Sequence, residues 1–318
     1  MPFKIAHFGL PLAAVLLRRD GHDVCLSVRP PIDAPGARRL LRESPATRVL
    51  DAPPGLGRAP ARAFEERVTR ELERLRPELI VSWFWTRRIP AAWLALATHG
   101  GIGAHPSLLP RHRGPNPYFA AIDAGDRETG VTVHALTSEY DDGDRLLARA
   151  IAVGERDSWQ LARALDRPSL ALLREVVGGF ARGAPPERHP QPVEGVTWAP
   201  EPEGEALRVS WDWPTDRVLR RIRALAPVPG LAIDVEGLEM FVTRARPAVA
   251  FPSALEPGEA AVVGVPPVLI LRTGDGAVSV ERAVFAAASD GPDAALGRDE
   301  LGRAVEKHLA GRNTDRVG

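Results

Sequence analysis

The chain has 318 residues, 44% hydrophobic and 26% charged, with 41 Lys+Arg balanced by 41 Asp+Glu. That length allows one large or two ordinary domains, and the balance fits a soluble globular protein rather than a disordered or fibrous one. A formal net charge of zero excludes a global pull toward nucleic acid and leaves only a local basic patch.

The N-terminus imitates a signal peptide, because Lys4 precedes an apolar stretch to Leu17. His7, Gly9 and Pro11 interrupt that stretch, and Arg18-Arg19-Asp20 follows without a small-residue cleavage site. A strand at Phe3–Phe8, a turn at Gly9–Pro11 and a helix at Leu12–Arg19 are expected instead. Gly21 would end the helix, and Val24–Val28 reads as a second strand. This opening predicts a parallel, nucleotide-binding-type sheet. No GxGxxG is present, so no dinucleotide is inferred. Cys25 is the single cysteine. It cannot form an internal disulfide and reads as a buried strand thiol in a reducing cytoplasm. No stretch has the roughly 18 uninterrupted apolar residues of a membrane span, so no membrane partner is expected.

Arg29–Ala34 reads as a proline-rich loop, followed by a helix bearing Arg38, Arg39 and Arg42. Asp51–Ala61 reads as a Gly/Pro-rich loop. Phe64, Val68, Leu72 and Leu75 recur at helical spacing up to Pro77. Glu78–Phe84 is a predicted buried strand that runs into Trp83-Phe84-Trp85 and then Arg88-Ile89-Pro90. A helix at Ala91–Ala97 and a tight glycine-rich approach at Gly100–Gly103 follow.

The stretch Gly101–Leu147 carries His105, His134, Asp141, Asp142 and Asp144 among turn-forming Gly and Pro, with Val131–Leu136 as a short strand. Polar residues at strand ends beside such turns are where sites are built. The two histidines and the aspartates lack the close ligand pairing of zinc motifs, so no metal is expected. Asp142 and Asp144 read as turn residues. Trp159–Gly178 has helical periodicity, with Pro168 expected to break it in two. Gly183–Pro202 reads as a linker. From Leu207 the pattern changes. Trp211–Pro214 leads into an arginine-bearing helix, Asp216–Leu225. Short strands follow at Leu231–Val235, Leu238–Thr243, Ala260–Val263, Val268–Arg272 and Ala277–Ala286, a pattern that suggests a small β barrel. Gly311–Gly318 is expected to fray.

Three motifs in order resemble the folate-dependent formyltransferases: HPSLLPRHRG from His105, GDRETGVT from Gly125, and His134 followed by Asp141 in DDGD. The resemblance implies an α/β fold, with a Rossmann-like, mostly parallel sheet domain at 1–185. It further implies a linker at 186–206 and a smaller OB-like β-barrel domain at 207–312. It implies transfer of a formyl group from 10-formyltetrahydrofolate, as co-substrate, to an amine acceptor. The tryptophan-ended barrel entry and the Pro227–Gly230 turn resemble the branch whose acceptor is initiator methionyl-tRNA. That branch has a long basic loop near residues 29–42 and a lysine-rich motif before the barrel. Here the loop is short and lysine-free, and Glu201, Glu203 and Glu205 replace the lysines. An N-formyltransferase acting on a small amine therefore stays open, as does a folate-binding protein of weakened catalysis. The oligomeric state is open as well.

Formyl transfer passes through an anionic tetrahedral intermediate, which calls for an oxyanion donor, a proton mover and a carboxylate that orients them. The resemblance implies His105 as donor and proton mover, Asp141 as the carboxylate and His134 as support. It assigns Ser107, Leu108, Leu109 and Pro110 to a folate-contacting turn. It places Arg88, Ile89, Glu139 and Tyr140 in strand-end loops lining the pterin pocket. One position departs from the family: two residues before the catalytic histidine, where an asparagine is normal, this chain has Gly103. Loss of one oxyanion donor typically costs about 10²–10³ in rate. A backbone N–H or water reaching past Gly103, or the amide of Asn116, could substitute.

Overall fold

The structure is a computed structural model that describes residues 2–31, 34, 36–54, 62–286 and 295–315. It divides into two compact units. The first comprises Met1–Pro117, Thr129–Ala152 and Ala164–Ala199. The second comprises Tyr118–Glu128, Val153–Arg163 and Pro200–Gly318.

The first unit is built on a seven-stranded sheet of order β3-β2-β1-β4-β5-β6-β7. Its strands are β1 (Lys4–Gly9), β2 (Asp23–Arg29), β3 (Arg48–Asp51), β4 (Leu79–Trp83), β5 (Gly101–His105), β6 (Glu128–Ala135) and β7 (Arg145–Ala152). β1, β2 and β4 are almost wholly buried apolar runs, the pattern of parallel strands covered on both faces. The pairs β1–β2, β1–β4, β2–β3 and β4–β5 are parallel; β5–β6 is antiparallel. Strand order reverses between β1 and β4, and in such sheets ligands sit outside the carboxyl ends of the strands near the reversal. His105 is the last residue of β5, at that end.

α1 (Pro11–Arg19) starts on a proline, whose missing N–H is harmless in a first turn, and buries Ala13, Ala14, Val15 and Leu17. α2 (Ala37–Glu43) follows; Arg19, Arg39 and Arg42 all converge on Glu43. α3 (Arg62–Leu75) buries Phe64, Val68 and Leu72, which join Phe8, Leu26, Leu50, Ile80 and Trp93 in one core cluster. α4 (Ala91–Leu94) supplies Trp93. Cys25 is buried in β2, and burial pushes its thiol up to about 11. Parts of the two expected loops, residues 32, 33, 35 and 55–61, lie outside the described residues.

Three features of this unit add to or differ from expectation. β3 has no counterpart among the expected elements; only its Val49 and Leu50 are apolar, and its pairing with β2 supplies what its composition does not. The tight glycine-rich approach at Gly100–Gly103 takes the form of a strand, with Gly101 and Gly103 inside β5. Leu94 and Leu136 close onto Gly101, where a Cβ would stand 2.7 Å from Leu94 Cδ2. After α5 (Pro117–Ala124), α6 (Ser158–Ala181) runs unbroken through Pro168. A mid-helix proline costs roughly 3 kcal/mol. Burial of Leu165, Leu172, Leu173, Val176 and Val177, at about 1.5–3 kcal/mol for each large side chain, outweighs it.

The second unit contains an antiparallel half-barrel of order β10-β11-β12-β9-β8, with β13 paired to β12. After α7 (Thr215–Leu225) its strands are β8 (Leu231–Val235), β9 (Leu238–Pro247), β10 (Ala260–Val263), β11 (Val268–Arg272), β12 (Ala277–Phe285) and β13 (Leu296–Gly297). α8 (Arg298–Asp315) was not anticipated; the expected frayed tail from Gly311 is helical to Asp315. α8 buries Leu301 and Val305. Its Gly302 stands where a Cβ would be 1.8 Å from Pro267 O, so only glycine fits. On α7, Arg221 makes a bidentate pair with Asp123 at 2.6 and 2.9 Å. Among the described residues no helix is long and apolar enough to cross a membrane.

Candidate active site

All of the site's geometry lies within the first unit. β5 and β6 pair so that Gly103 faces His134 and His105 faces Thr132. The chain leaves β6, and Gly143 then packs on Ala135; a Cβ at Gly143 would lie 2.0 Å from Ala135 O. This close approach brings the intervening Asp141 back to the two histidines.

Asp141 stands between them. Its Oδ2 is 3.4 Å from His105 Nδ1, and its Oδ1 is 3.6 Å from His134 Nε2. The Gly114 N–H donates to Asp141 Oδ2 at 2.9 Å. Asp141 has φ 55, a left-handed conformation that Asp tolerates better than most residues. The other nitrogen of His105, Nε2, donates to His112 O at 2.8 Å. Both ring nitrogens therefore face acceptors. The imidazolium has a donor for each, whereas the neutral ring has a donor for only one.

His134 differs. Its Nδ1 donates to Ala135 O at 2.9 Å, which leaves the Nε2 lone pair facing Asp141 and Gly103. Burial holds its pKa below the ordinary histidine value, while Asp141 pulls the other way. The carboxylate thus stands between one ring anchored on a carbonyl through Nε2 and one anchored through Nδ1.

Gly103 has no positive φ. A Cβ there would lie 3.0 Å from Leu136 Cδ2, 3.5 Å from His134 Nε2 and 3.7 Å from Ser82 Cβ. A side chain at this position would therefore stand against the imidazole of His134. Asn116 donates its backbone N–H to Ala199 O at 3.0 Å.

The turn at Ser107–Pro110 is tied to the sheet. Thr132 Oγ1 donates to Ser107 O at 2.8 Å and accepts from Leu109 N at 3.1 Å. Ser107 Oγ donates to Arg111 O. Leu109 is buried, whereas Leu108 and Pro110 are partly exposed. The two strand-end loops meet each other: Arg88 Nη2 is 3.0 Å from Glu139 Oε2, and the Arg88 guanidinium lies 5.1 Å from the Tyr140 ring centroid. Ile89 is buried. Trp83 is core, its indole donating to Ser169 Oγ, while Phe84 is exposed.

Three residues of the site were missed in the sequence. His112 acts through its carbonyl. Thr197 Oγ1 accepts the His112 N–H at 2.8 Å. Gln191 donates Nε2 to Asp141 O and Gly143 O, both at 2.8 Å. Gln191 and Thr197 lie in the stretch read as linker, which runs beside Arg113 through a parallel bridge to Trp198. Nothing in local periodicity marks a lone Gln or Thr in a Pro/Gly-rich stretch.

With this geometry in hand, comparison with known proteins is informative. The formyl transferase family model matches residues 12–176, and the formyl transferase C-terminal domain model matches residues 203–290. A methionyl-tRNA formyltransferase of Anaeromyxobacter dehalogenans is 36% identical over 268 residues, covering 82% of this chain and 85% of the relative. Among solved structures, HypX from Aquifex aeolicus in complex with tetrahydrofolic acid aligns with TM-score 0.59 at 24% identity over 90% of this chain, which spans only 45% of HypX. An N-formyltransferase from Helicobacter canadensis, in complex with folinic acid and dTDP-3-aminofucose, aligns with TM-score 0.61 at 13% identity, covering 87% of this chain and 98% of that one. These two structural likenesses speak to the fold. The matched models, in order along the chain and with a close relative spanning both, establish that this protein belongs to the formyl transferase family.

Proposed function

We propose that the protein transfers a formyl group from 10-formyltetrahydrofolate to an amine, with His105, Asp141 and His134 as its working residues. The observation that carries this reading is the placement of one carboxylate between two imidazoles at the carboxyl end of β5. 10-Formyltetrahydrofolate supplies the formyl group. The donor set fits such a partner: the Arg88 and Glu139–Tyr140 loops meet at one rim, and the second of them runs directly into Asp141.

The protein's own part is electrostatic positioning and proton handling. His105 turns Nδ1 to Asp141, while His112 O anchors its Nε2. The buried His134, which burial biases toward its neutral form, sets Nε2 against the other oxygen of the same carboxylate. A proton taken from an attacking ammonium or amine has a route among these three groups.

The acceptor we favour is initiator methionyl-tRNA, since close relatives across most of this chain are methionyl-tRNA formyltransferases. A small amine is the second reading, and α7 supports it. Arg220 pairs with Asp216, Arg221 with Asp123, Arg223 with Glu155, and Arg217 stacks 3.8 Å over Trp213. These arginines are committed within their own unit rather than offered to phosphates. The buried lone cysteine and the relatives' class accord with a cytoplasmic enzyme. The decisive experiment is turnover with 10-formyltetrahydrofolate against charged initiator tRNA and a panel of amines. Formylation of none of them would defeat the transferase reading.

A further inference from the structure

We propose that Gln191 is a positioning residue for Asp141, so that the stretch after α6 completes the site rather than merely leading away from it. The inference rests on the formyl-transfer reading above.

The carboxylate of Asp141 is aimed by a left-handed backbone, φ 55. Such a conformation persists only where its surroundings determine it. Three contacts do so. The Gly114 N–H binds one carboxylate oxygen at 2.9 Å. Gly143 is pressed on Ala135 O from the other side. The two amide hydrogens of Gln191 take Asp141 O and Gly143 O, each at 2.8 Å. One planar amide spanning two carbonyls fixes the peptide planes that follow Asp141 and Gly143, and with them the direction of the Asp141 side chain.

The amide cannot turn over. Its Oε1 accepts from Arg113 Nε at 3.1 Å and Nη2 at 2.7 Å; turning the amide would set NH₂ against guanidinium N–H, donor to donor. Arg113 is itself held, its N–H on Thr197 O at 2.9 Å and its carbonyl on Ala199 N at 2.7 Å. Arg113 immediately precedes Gly114. The same short stretch thus supports Asp141 at its carboxylate, directly through Gly114, and at its backbone, through Gln191.

Core packing does not account for Gln191. It is half-buried, residues 192–196 are exposed, and Val193 is 85% exposed. Its side-chain hydrogen bonds go to the Asp141–Gly143 loop and to Arg113.

The test compares wild type with Gln191→Leu, which removes all four bonds, and Gln191→Glu, which keeps an acceptor for Arg113 but lacks both amide donors. kcat and KM for 10-formyltetrahydrofolate, the Kd for tetrahydrofolate and the melting temperature are measured for each, along with hydrogen exchange of the Gly114 amide by NMR. Misorientation of a working group lowers kcat more than binding, so both variants should lose about tenfold or more in kcat with KM changed by less than about threefold. Exchange at the Gly114 amide, whose acceptor is Asp141 Oδ2, should speed up about tenfold or more as Asp141 leaves its place. Folded variants with wild-type kcat would overturn the proposal. So would losses of kcat, tetrahydrofolate affinity and melting temperature in step, which would mark a structural role alone. If wild type formylates nothing, the transferase reading fails on its own. Gly114 exchange then still decides, since identical rates in wild type and Gln191→Leu would rule out the clamp and faster exchange in a variant of unchanged melting temperature would uphold it.

Discussion

His105 Nδ1 lies 3.4 Å from Asp141 Oδ2, while His105 Nε2 is anchored on the carbonyl of His112. The imidazole therefore has one end anchored on a carbonyl and one end facing a carboxylate. This is the arrangement expected of a general acid–base held in a single orientation.

Replacing that ring tests its role directly. His105→Ala should lower formyl transfer by about 10²–10⁴, the range general acid–base groups contribute, while tetrahydrofolate affinity stays near wild type. Steady-state rates and a binding titration on the same preparation are the measurements. A fully active His105→Ala protein would sink the acid–base assignment.

Gly103→Asn probes the family position where this chain departs. The backbone there is not left-handed, and the nearest atom to a new Cβ is the end of a leucine side chain, Leu136 Cδ2 at 3.0 Å. The substitution is thus sterically accessible with a shift of a few tenths of an ångström. It would set an amide beside His134 Nε2. Restoring an oxyanion donor is worth up to about 10²–10³, so turnover should rise about tenfold or more. A fall with every acceptor would mean that the glycine is making room for something else; a rise with one amine and a fall with another would mark a specificity position.

Acid should loosen the first unit through His7. That ring is fully buried in β1, with Nδ1 3.2 Å from Ser27 Oγ, and burial lowers its pKa from 6.5 to about 3. The folded state favours the neutral ring, so the stabilisation is complete above 6.5 and is lost as pH falls from 6.5 toward 3. At 1.36 kcal/mol per unit the total is on the order of 5 kcal/mol. His134, whose pKa burial also lowers, acts in the same direction. Denaturant unfolding measured across that pH range should show the slope, and His7→Gln should flatten it by about one proton. Parallel wild-type and variant slopes would refute the assignment.

In the second unit, the Arg221–Asp123 pair should be a large single contribution. The Arg221 side chain is 8% exposed and also donates to the carbonyls of Glu205, Ala206 and Arg208. Removing one partner of a buried pair leaves an uncompensated charge and costs about 3–5 kcal/mol. Asp123→Ala should therefore lower that unit's unfolding midpoint markedly. The double variant Asp123→Ala/Arg221→Met should recover part of the loss. A single variant as stable as wild type would show that the three carbonyls suffice.

The sequence by itself determined the elements whose signal is local. Phe64, Val68 and Leu72 mark α3 by their spacing, and the apolar runs of β1, β2 and β4 announce covered parallel strands. The ordered motifs around His105, His134 and Asp141 pointed to three residues that the fold brings together, because their spacing is carried in one stretch of chain. Tertiary structure alone decided the rest. β3 exists because β2 offers a ladder to four residues of weak propensity, and α6 stays whole at Pro168 because its buried face outweighs one missing hydrogen bond. Gln191 and Thr197 reach the site through hydrogen bonds across tens of residues, and the carbonyl of His112 through one that closes a turn of the chain. Such contacts leave no periodic trace, since a single amide or carbonyl acquires its role only from the partner that the fold brings to it.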